Sequence, residues 1–143
     1  MNYEIIENIT SADIAIRVKA DSPSLLFKYG AEALMAELIE DLSSIKEIIT
    51  KEGSFHDKVL SLLYFEFLNE ILFFKDSENI LLKPANLRVS AEDNLYVCEY
   101  TLKGAKINKL RHKSKVDIKA VTLHELKIYE DNNFYIAETV FDV

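Results

Sequence analysis

The sequence has 143 residues, of which 49% are hydrophobic and 29% are charged, a composition typical of a globular domain that excludes wholesale disorder. The formal net charge of −7 disfavours non-specific adhesion of the whole molecule to nucleic acid or to anionic membranes. With Cys98 as the one cysteine, no secretory-signal pattern at the start and no apolar run of about 18 residues, we expect a cytoplasmic protein outside the membrane.

The first half of the chain predicts a strand, a helix and a second strand. Residues 13–20 alternate between apolar and polar side chains, which indicates a half-buried strand. Ser22 is a favourable N-cap and Pro23 suits the first helical position, so we expect a helix from there to about Glu40. The β-branched residues of the segment 43–51 then predict a short strand.

The pattern Ser54-Phe55-His56-Asp57 predicts the start of a second helix, because it fits a capping box. Large apolar side chains recur at helical spacing after it, and we assign them to the core rather than to a partner: Leu60, Leu63, Phe67, Ile71 and Phe74.

Four further strands are expected, at about 86–90, 95–103, 117–129 and 134–141. Asp131-Asn132-Asn133 is typical of a turn, so the last two strands should form a hairpin. Gly and Pro are too scarce to mark a linker, and we therefore expect residues 1–143 to form a single domain. The predicted fold is an α+β two-layer sandwich, a mostly antiparallel sheet covered on one face by two helices.

No independent catalytic constellation is evident. The three histidines are far apart in sequence, and none forms a zinc-ligand spacing with Cys98. The glycines are isolated, so no phosphate-binding loop is present, and no nucleophile elbow is found. We therefore expect that the chain is not an enzyme on its own.

Basic residues are concentrated in the segment 103–119, which contains one acid, Asp117. One interpretation is a solvated loop, and the other is an electropositive surface for phosphate groups or an acidic partner. No aromatic residue is interleaved, which weighs against stacking on nucleic-acid bases. The segment holds seven of the 17 basic residues of the chain: Lys103, Lys106, Lys109, Arg111, Lys113, Lys115 and Lys119.

Two acidic residues lie near opposite ends of the sequence. Asp13 opens the first confident strand, and Asp142 precedes Val143. An aspartate at a strand end is usually a turn or cap residue. If the first and last strands are neighbours, however, both carboxylates and the terminal carboxylate of Val143 converge, and hard oxygen donors of this kind suit Ca²⁺ or Mg²⁺ rather than zinc.

Four segments, in order along the chain, resemble conserved segments of the archease family. Residues 10–16 resemble the family's His-Thr-Ala-Asp-Ile-Gly-Ile opening, and residues 61–72 resemble its Leu-Leu-x-x-Trp-Leu-x-Glu-Leu-Leu helix. Residues 116–125 are similar to its Glu-Val-Lys-Ala-Val-Thr-Tyr-His-Glu stretch, and the end, Phe141-Asp142-Val143, matches its habit of finishing in Asp and an aliphatic residue. Thr10 stands where the family has histidine, and Phe67 stands where it has tryptophan. Neither position is one of the metal ligands that the resemblance implies.

The resemblance implies a small α+β sandwich that serves as an accessory protein of the GTP-dependent RNA ligase that splices tRNA halves. Such a protein promotes guanylylation of the ligase and its multiple turnover. The implied metal ligands are Asp13, Asp142 and Val143, with Ca²⁺ slightly preferred over Mg²⁺. Lys119, with its neighbours Lys113 and Lys115, is expected to contact RNA or GTP phosphates transiently, or an acidic rim of the ligase.

Two other functions are open from the residues. A general chaperone or RNA-binding module would use the basic loop 103–119, with the carboxylates serving a structural role. A metal-dependent phosphoesterase using Asp13 and Asp142 is the least favoured, because no general base is paired with them in the sequence.

Overall fold

In a computed structural model, which describes residues 3–6 and 13–143, the chain forms two helices and seven strands. A short 3-10 helix, Leu42–Ser44, follows the first helix. In chain order the elements are β1 (Tyr3–Ile5), β2 (Asp13–Ala20), α1 (Pro23–Leu38), β3 (Ile49–Asp57), α2 (Leu60–Glu78), β4 (Ile80–Glu92), β5 (Leu95–Lys106), β6 (Ala120–Asp131) and β7 (Phe134–Asp142).

The strands are antiparallel and form two sheets, whereas the sequence predicts a single sheet. The four-stranded sheet has the order β1-β2-β7-β6, and the three-stranded sheet has the order β3-β5-β4. Both helices contact both sheets and each other, so each sheet has one face against the helices and one face away from them. The predicted α+β class is confirmed, and the helices cover one face of each of two sheets.

Helix α1 begins where the sequence predicts. The Ser22 hydroxyl accepts a hydrogen bond from the Leu25 N–H at 3.2 Å, and Pro23 occupies the first turn. Helix α2 ends at Glu78 and is capped by Asn79, which has a left-handed backbone (φ 55°) and donates its N–H to the Lys75 carbonyl. The Phe27 ring of α1 packs edge-on against Tyr64 of α2, with ring centroids 5.1 Å apart. Leu63, Phe67 and Ile71 are fully buried, which confirms the assignment of this stripe to the core, whereas Leu60 and Phe74 are partly buried.

Two local predictions in the middle of the chain are wrong. Residues 43–51 do not form a strand of their own, and the apparent capping box Ser54–Asp57 is the end of β3 rather than the start of a helix. Strand β3 pairs with β5 along its whole length, and the Phe55 ring stacks on Tyr100 at 5.9 Å. Tertiary pairing therefore overrides the local helix signal, and α2 starts at Leu60.

The later strands are confirmed with changed bounds. Strand β4 is longer than expected, and β6 begins at Ala120, so residues 117–119 precede it as an irregular connection. The turn between β6 and β7 is formed by Asn132 and Asn133, both with positive φ, as a two-residue hairpin requires. In this arrangement β7, the last strand, lies in the middle of the four-stranded sheet.

Candidate functional site

The two ends of the chain meet at a pair of carboxylates. Asp13, the first residue of β2, lies directly opposite Asp142, the last residue of β7, in the antiparallel ladder. Residues directly opposite in such a ladder point to the same face of the sheet, with Cβ atoms about 4.5–5.5 Å apart. Side chains alternate along β2, so Asp13 and Arg17 point to one face of the sheet, whereas the buried Ile16 and Val18 point to the other face, against the helices. Both aspartates are partly buried on the face directed away from the helices.

The other side of Asp142 is occupied by the start of β6. Ala120 is its partner in the ladder, and the Lys119 N–H donates a hydrogen bond to the Asp142 carbonyl oxygen at 2.8 Å. The Lys119 residue is exposed. The main chain of the last basic residue of the segment 103–119 is therefore fixed beside Asp142.

The donor set of the carboxylate pair fits a hard divalent cation. Like charges directly opposite each other in a ladder destabilise a sheet, and a bound cation removes that repulsion. Within residues 3–6 and 13–143 no cluster of three or more His, Cys, Asp or Glu residues is arranged to hold a metal. Among the described residues, the candidate side-chain donors at this position are therefore the two aspartates. The Val143 side chain is a hydrocarbon that packs against the core, and because it has no donor atom, any contribution from Val143 would come from main-chain oxygens.

Lys115 forms an ion pair with a buried carboxylate, although the Lys115 side chain itself is 44% exposed. Its ammonium lies 3.3 Å from the Glu37 carboxylate, which also accepts a hydrogen bond from the Tyr3 hydroxyl at 3.1 Å. The Glu37 residue is only 2% exposed, and a buried carboxylate needs partners within the fold, which here are the Lys115 ammonium and the Tyr3 hydroxyl. Burial and the Glu37 carboxylate raise the pKa of Tyr3 to about 12. This cluster was not anticipated from the sequence, because no local pattern links residues so far apart.

The basic segment lies along the end of α1. Its Lys113 carbonyl accepts from the Glu40 N–H, and the Lys115 and Val116 N–H groups donate to the Leu38 and Glu37 carbonyls. These bonds satisfy the last carbonyls of α1, which a helix leaves without partners. Lys113 is exposed and forms no ion pair with any described residue. Of the three predicted contact lysines, Lys119 adjoins the acid pair and Lys115 pairs with Glu37.

A second charged group lies on the same sheet face as the acid pair. Glu138 accepts from Arg17 at 3.1 Å and from the Tyr129 hydroxyl at 2.7 Å, and Arg17 also binds Glu4 at 2.7 Å. Lys127 lies 3.5 Å from Glu138. Burial pushes the pKa of Glu138 upward, but the bonds from Tyr129 and Arg17 outweigh it, and the net pKa is lowered. The opposite charges here are balanced, in contrast to the two aspartates.

The histidines and the cysteine form no joint site among the described residues. His56 lies next to Cys98 in the β3–β5 ladder, but successive positions along a strand point to opposite faces of the sheet, so the exposed His56 and the buried Cys98 do not face each other. His56 is exposed in β3 rather than in a helix, and His112 is buried in the basic segment. His124 is exposed in an irregular stretch of β6, between Thr122 and Lys127, where the register with β7 shifts. Burial raises the pKa of the Cys98 thiol to about 12, which leaves it unreactive.

The structure describes Asp13 of the first conserved segment, while Thr10, Ser11 and Ala12 lie outside the described residues. No helix in the described part of the chain has the length and apolar character needed to cross a membrane.

Comparison with known proteins gives consistent matches over the whole chain. Residues 3–143 match the profile of the Archease protein family (MTH1598/TM1083). The protein archease of Methanopyrus kandleri is 29% identical over 143 residues, covering all of both chains. That of Sulfurisphaera tokodaii is 28% identical over 141 residues, covering 99% of this chain and 98% of the relative.

Two solved structures share the fold. The solution structure of Methanobacterium thermoautotrophicum protein 1598 covers 99% of both chains with a TM-score of 0.85 and 21% identity. The crystal structure of an archease, possible chaperone, from Thermotoga maritima covers 98% of both chains with a TM-score of 0.61 and 22% identity. The family profile spans nearly the entire chain, and on that evidence this chain belongs to the archease family.

Proposed function

We propose that this chain is an accessory protein of the GTP-dependent RNA ligase that splices tRNA halves, and that it promotes ligase guanylylation and multiple turnover. The observation that carries the proposal is the direct pairing of Asp13 with Asp142 across the β2–β7 ladder. Family membership supports an accessory role rather than independent catalysis.

The carboxylate pair has the chemistry of an incomplete cation site. Asp13 and Asp142, with main-chain oxygens of Val143, would hold Ca²⁺ or Mg²⁺ and leave part of its coordination open. A divalent cation bound there would offset negative charge on a nucleoside triphosphate. The chain itself contributes a fixed placement, because both aspartates lie in strands that are paired in the sheet.

Lys119 has the position to contact phosphate beside this pair. Its N–H bond to the Asp142 carbonyl fixes the main chain, while its exposed ammonium is available to a GTP or RNA phosphate or to an acidic rim of the ligase. Lys113 is an exposed cation further along the same segment. Lys115 would have to leave Glu37 to take part, so we assign it chiefly to holding the segment.

Counting ligase turnovers on cleaved RNA with GTP, with and without this chain, tests the proposal. We expect several products per ligase with the wild-type chain, and about one with Asp13→Asn or Asp142→Asn. Asp131→Asn is the matched control, because Asp131 lies at the other end of the β6–β7 hairpin, opposite Phe134 rather than another carboxylate. Undiminished turnover with both site variants would exclude this function for the acid pair.

A general chaperone or RNA-binding role of the basic loop is the second candidate. The exposed cations of the segment 103–119 favour it, and the Thermotoga maritima relative is described as a possible chaperone. Salt-dependent RNA binding in the absence of ligase, lost on reversing the charge of Lys109 and Arg111, is its expected signature. If RNA binds in this way while ligase turnover is unaffected, the second candidate replaces the first.

A further inference from the structure

The basic segment presents an apolar side chain at its tip. Leu110 is 93% exposed, the largest exposed fraction of any large apolar side chain in the described residues, ahead of Ile48 at 71%. Its neighbours Lys109 and Arg111 are exposed cations. A leucine exposed to this extent contributes little to folding, and its side chain is free to be buried against a partner.

The tip is held in one conformation by its own hydrogen bonds. The Asn108 side chain accepts from the Leu110 N–H at 3.0 Å and from the Arg111 N–H at 3.3 Å. The His112 ring accepts from the Asn108 N–H at 3.0 Å, and the His112 N–H donates to the Asn108 carbonyl at 2.7 Å. His112 is 2% exposed and anchors the turn in the molecule. A turn that is ordered before binding loses little conformational entropy when a partner docks on it.

The charge around Leu110 is opposite to that of the molecule. The chain carries a formal charge of −7, yet Lys109, Arg111 and Lys113 are exposed around the tip, and none forms an ion pair with a residue in the described ranges. Such a local excess of cations favours encounter with an acidic surface. Leu110 adds an apolar contact at the centre of the same surface.

We infer that the tip 108–112 is a docking element in which Leu110 enters an apolar recess with an acidic rim on a partner protein. This inference rests on the proposed function and takes the ligase as that protein. At most about 29 Å of extended chain separates Arg111 from Lys119, so one partner can contact the tip and the acid pair together. The tip then supplies affinity, and the acid pair supplies the effect on the reaction.

A protein partner fits the tip better than RNA does. RNA phosphates would bind the cations, but Leu110 would add nothing to that binding. An apolar recess on a protein would instead remove the Leu110 side chain from water, which favours binding. An aromatic side chain for base stacking is also missing between residues 103 and 119.

Binding of the full-length chain to the ligase, measured without GTP or RNA, tests this inference. We expect Leu110→Ser to weaken binding by about tenfold to a hundredfold, as expected for an apolar side chain of this size. Ile48→Ser is the matched control, since it also replaces a largely exposed apolar residue, and it should bind like the wild type. Lys109→Glu with Arg111→Glu should slow association and reduce its dependence on salt. Circular dichroism should show all variants folded.

The outcomes separate this inference from the proposed function. If Leu110→Ser binds and stimulates the ligase like the wild type, the docking inference is overturned and the proposed function stands. If the wild type binds without raising turnover, the proposed function fails, and weaker binding by Leu110→Ser still supports the docking element. If the wild type neither binds nor stimulates, both fall. The docking inference is also overturned if the chain binds RNA through Lys109 and Arg111 but not Leu110, and if substitutions at these three residues leave ligase binding unchanged.

Discussion

Asp13 and Asp142 lie directly opposite each other in neighbouring antiparallel strands, although 128 residues separate them in the sequence. Both sit at the ends of their strands, on the sheet face directed away from the helices. Two facing carboxylates repel each other unless something offsets their charge. Repulsion between the two carboxylates therefore slightly destabilises the folded state, and a cation bound between them would replace this repulsion with attraction.

The strands that carry this pair are well supported. Strand β2 is paired with both β1 and β7, and β7 is paired with both β2 and β6. A site built on paired strands is held more closely than a site built on loops. At the acid pair itself, Asp142 is paired on both sides, with Asp13 and with Ala120, and the basic segment leads from the Leu110 tip to Lys119 beside it.

Replacing Lys119 should separate cation binding from ligase stimulation. The bond from Lys119 to the Asp142 carbonyl comes from the main-chain N–H, so Lys119→Met keeps this bond and removes the exposed ammonium. We expect Ca²⁺ affinity to remain within about twofold, while ligase turnover falls about tenfold through loss of one charge-assisted phosphate contact. Lys113→Met, which removes an exposed lysine further from Asp142 in sequence, should reduce turnover less. Equal turnover by Lys119→Met and the wild type would contradict the assignment.

Removing Lys115 should destabilise the fold more than neutralising its partner Glu37. Lys115→Met leaves the buried Glu37 carboxylate with the Tyr3 hydroxyl as its one side-chain donor among the described residues. Because the Lys115 side chain is 44% exposed and water screens the pair, we expect a cost of about 2 kcal/mol in the free energy of unfolding. Glu37→Gln keeps a polar acceptor for Tyr3 and should cost about 1 kcal/mol. Urea unfolding measures both. Lys113→Met is the control. If Lys113→Met lowers the free energy of unfolding as much as Lys115→Met does, the ion pair between Lys115 and Glu37 has no special role in stability.

Glu138 should contribute stability that depends on pH in the acid range. Its folded-state pKa lies below the ordinary value of 4.5, so its contribution is fully present above pH 4.5 and is lost as the pH falls through the folded-state pKa. Glu138→Gln should cost about 1 kcal/mol at neutral pH, and its difference from the wild type should shrink below pH 4.5. Unfolding curves at several pH values check this. Glu130→Gln, which replaces an exposed carboxylate of the same hairpin, is the control variant. A difference between Glu138→Gln and the wild type that stays constant with pH would contradict the prediction.

Gly104 should not tolerate a side chain. It pairs with Ile49 on one side and Leu82 on the other, and a Cβ atom there would overlap the Leu81 carbonyl oxygen. Because main chain cannot move aside without disrupting the ladder, Gly104→Ala should cost about 3 kcal/mol or more. Gly53→Ala meets only the end of the Tyr100 side chain and should cost less. Equal unfolding midpoints for the two variants would contradict this account of β5.

Local signals predicted the elements where backbone chemistry decides the conformation. Ser22 and Pro23 fix the start of α1, and Asn132 and Asn133 fix the last hairpin. The capping pattern of Ser54–Asp57 wrongly predicted the start of a helix, because these residues belong to a strand that is paired with β5 along its whole length. The division into two sheets has no local signature, because it depends on which strands pair across long sequence separations.

The acid pair was predictable only in part. Each aspartate by itself is an ordinary strand-end residue, and their pairing depends on β2 lying beside β7, which the resemblance implied and periodicity did not. The partnership of Lys115 with Glu37 was missed, because the sequence gives no sign that the basic segment returns along the end of α1. An excess of lysines identifies a charged segment but not which of its charges are already paired.

Calorimetric titration of Ca²⁺ and Mg²⁺ into the wild-type chain and Asp142→Asn tests the central claim most directly, because it measures the cation at the acid pair without ligase, GTP or RNA. We predict one site in the wild type, and affinity lower by about tenfold or more in Asp142→Asn and in Asp13→Asn, since a lost ligand should cost at least as much as a lost outer contact. The Asp131→Asn control should bind as the wild type does. The absence of binding to the wild type, or equal affinity in all four proteins, would contradict the account.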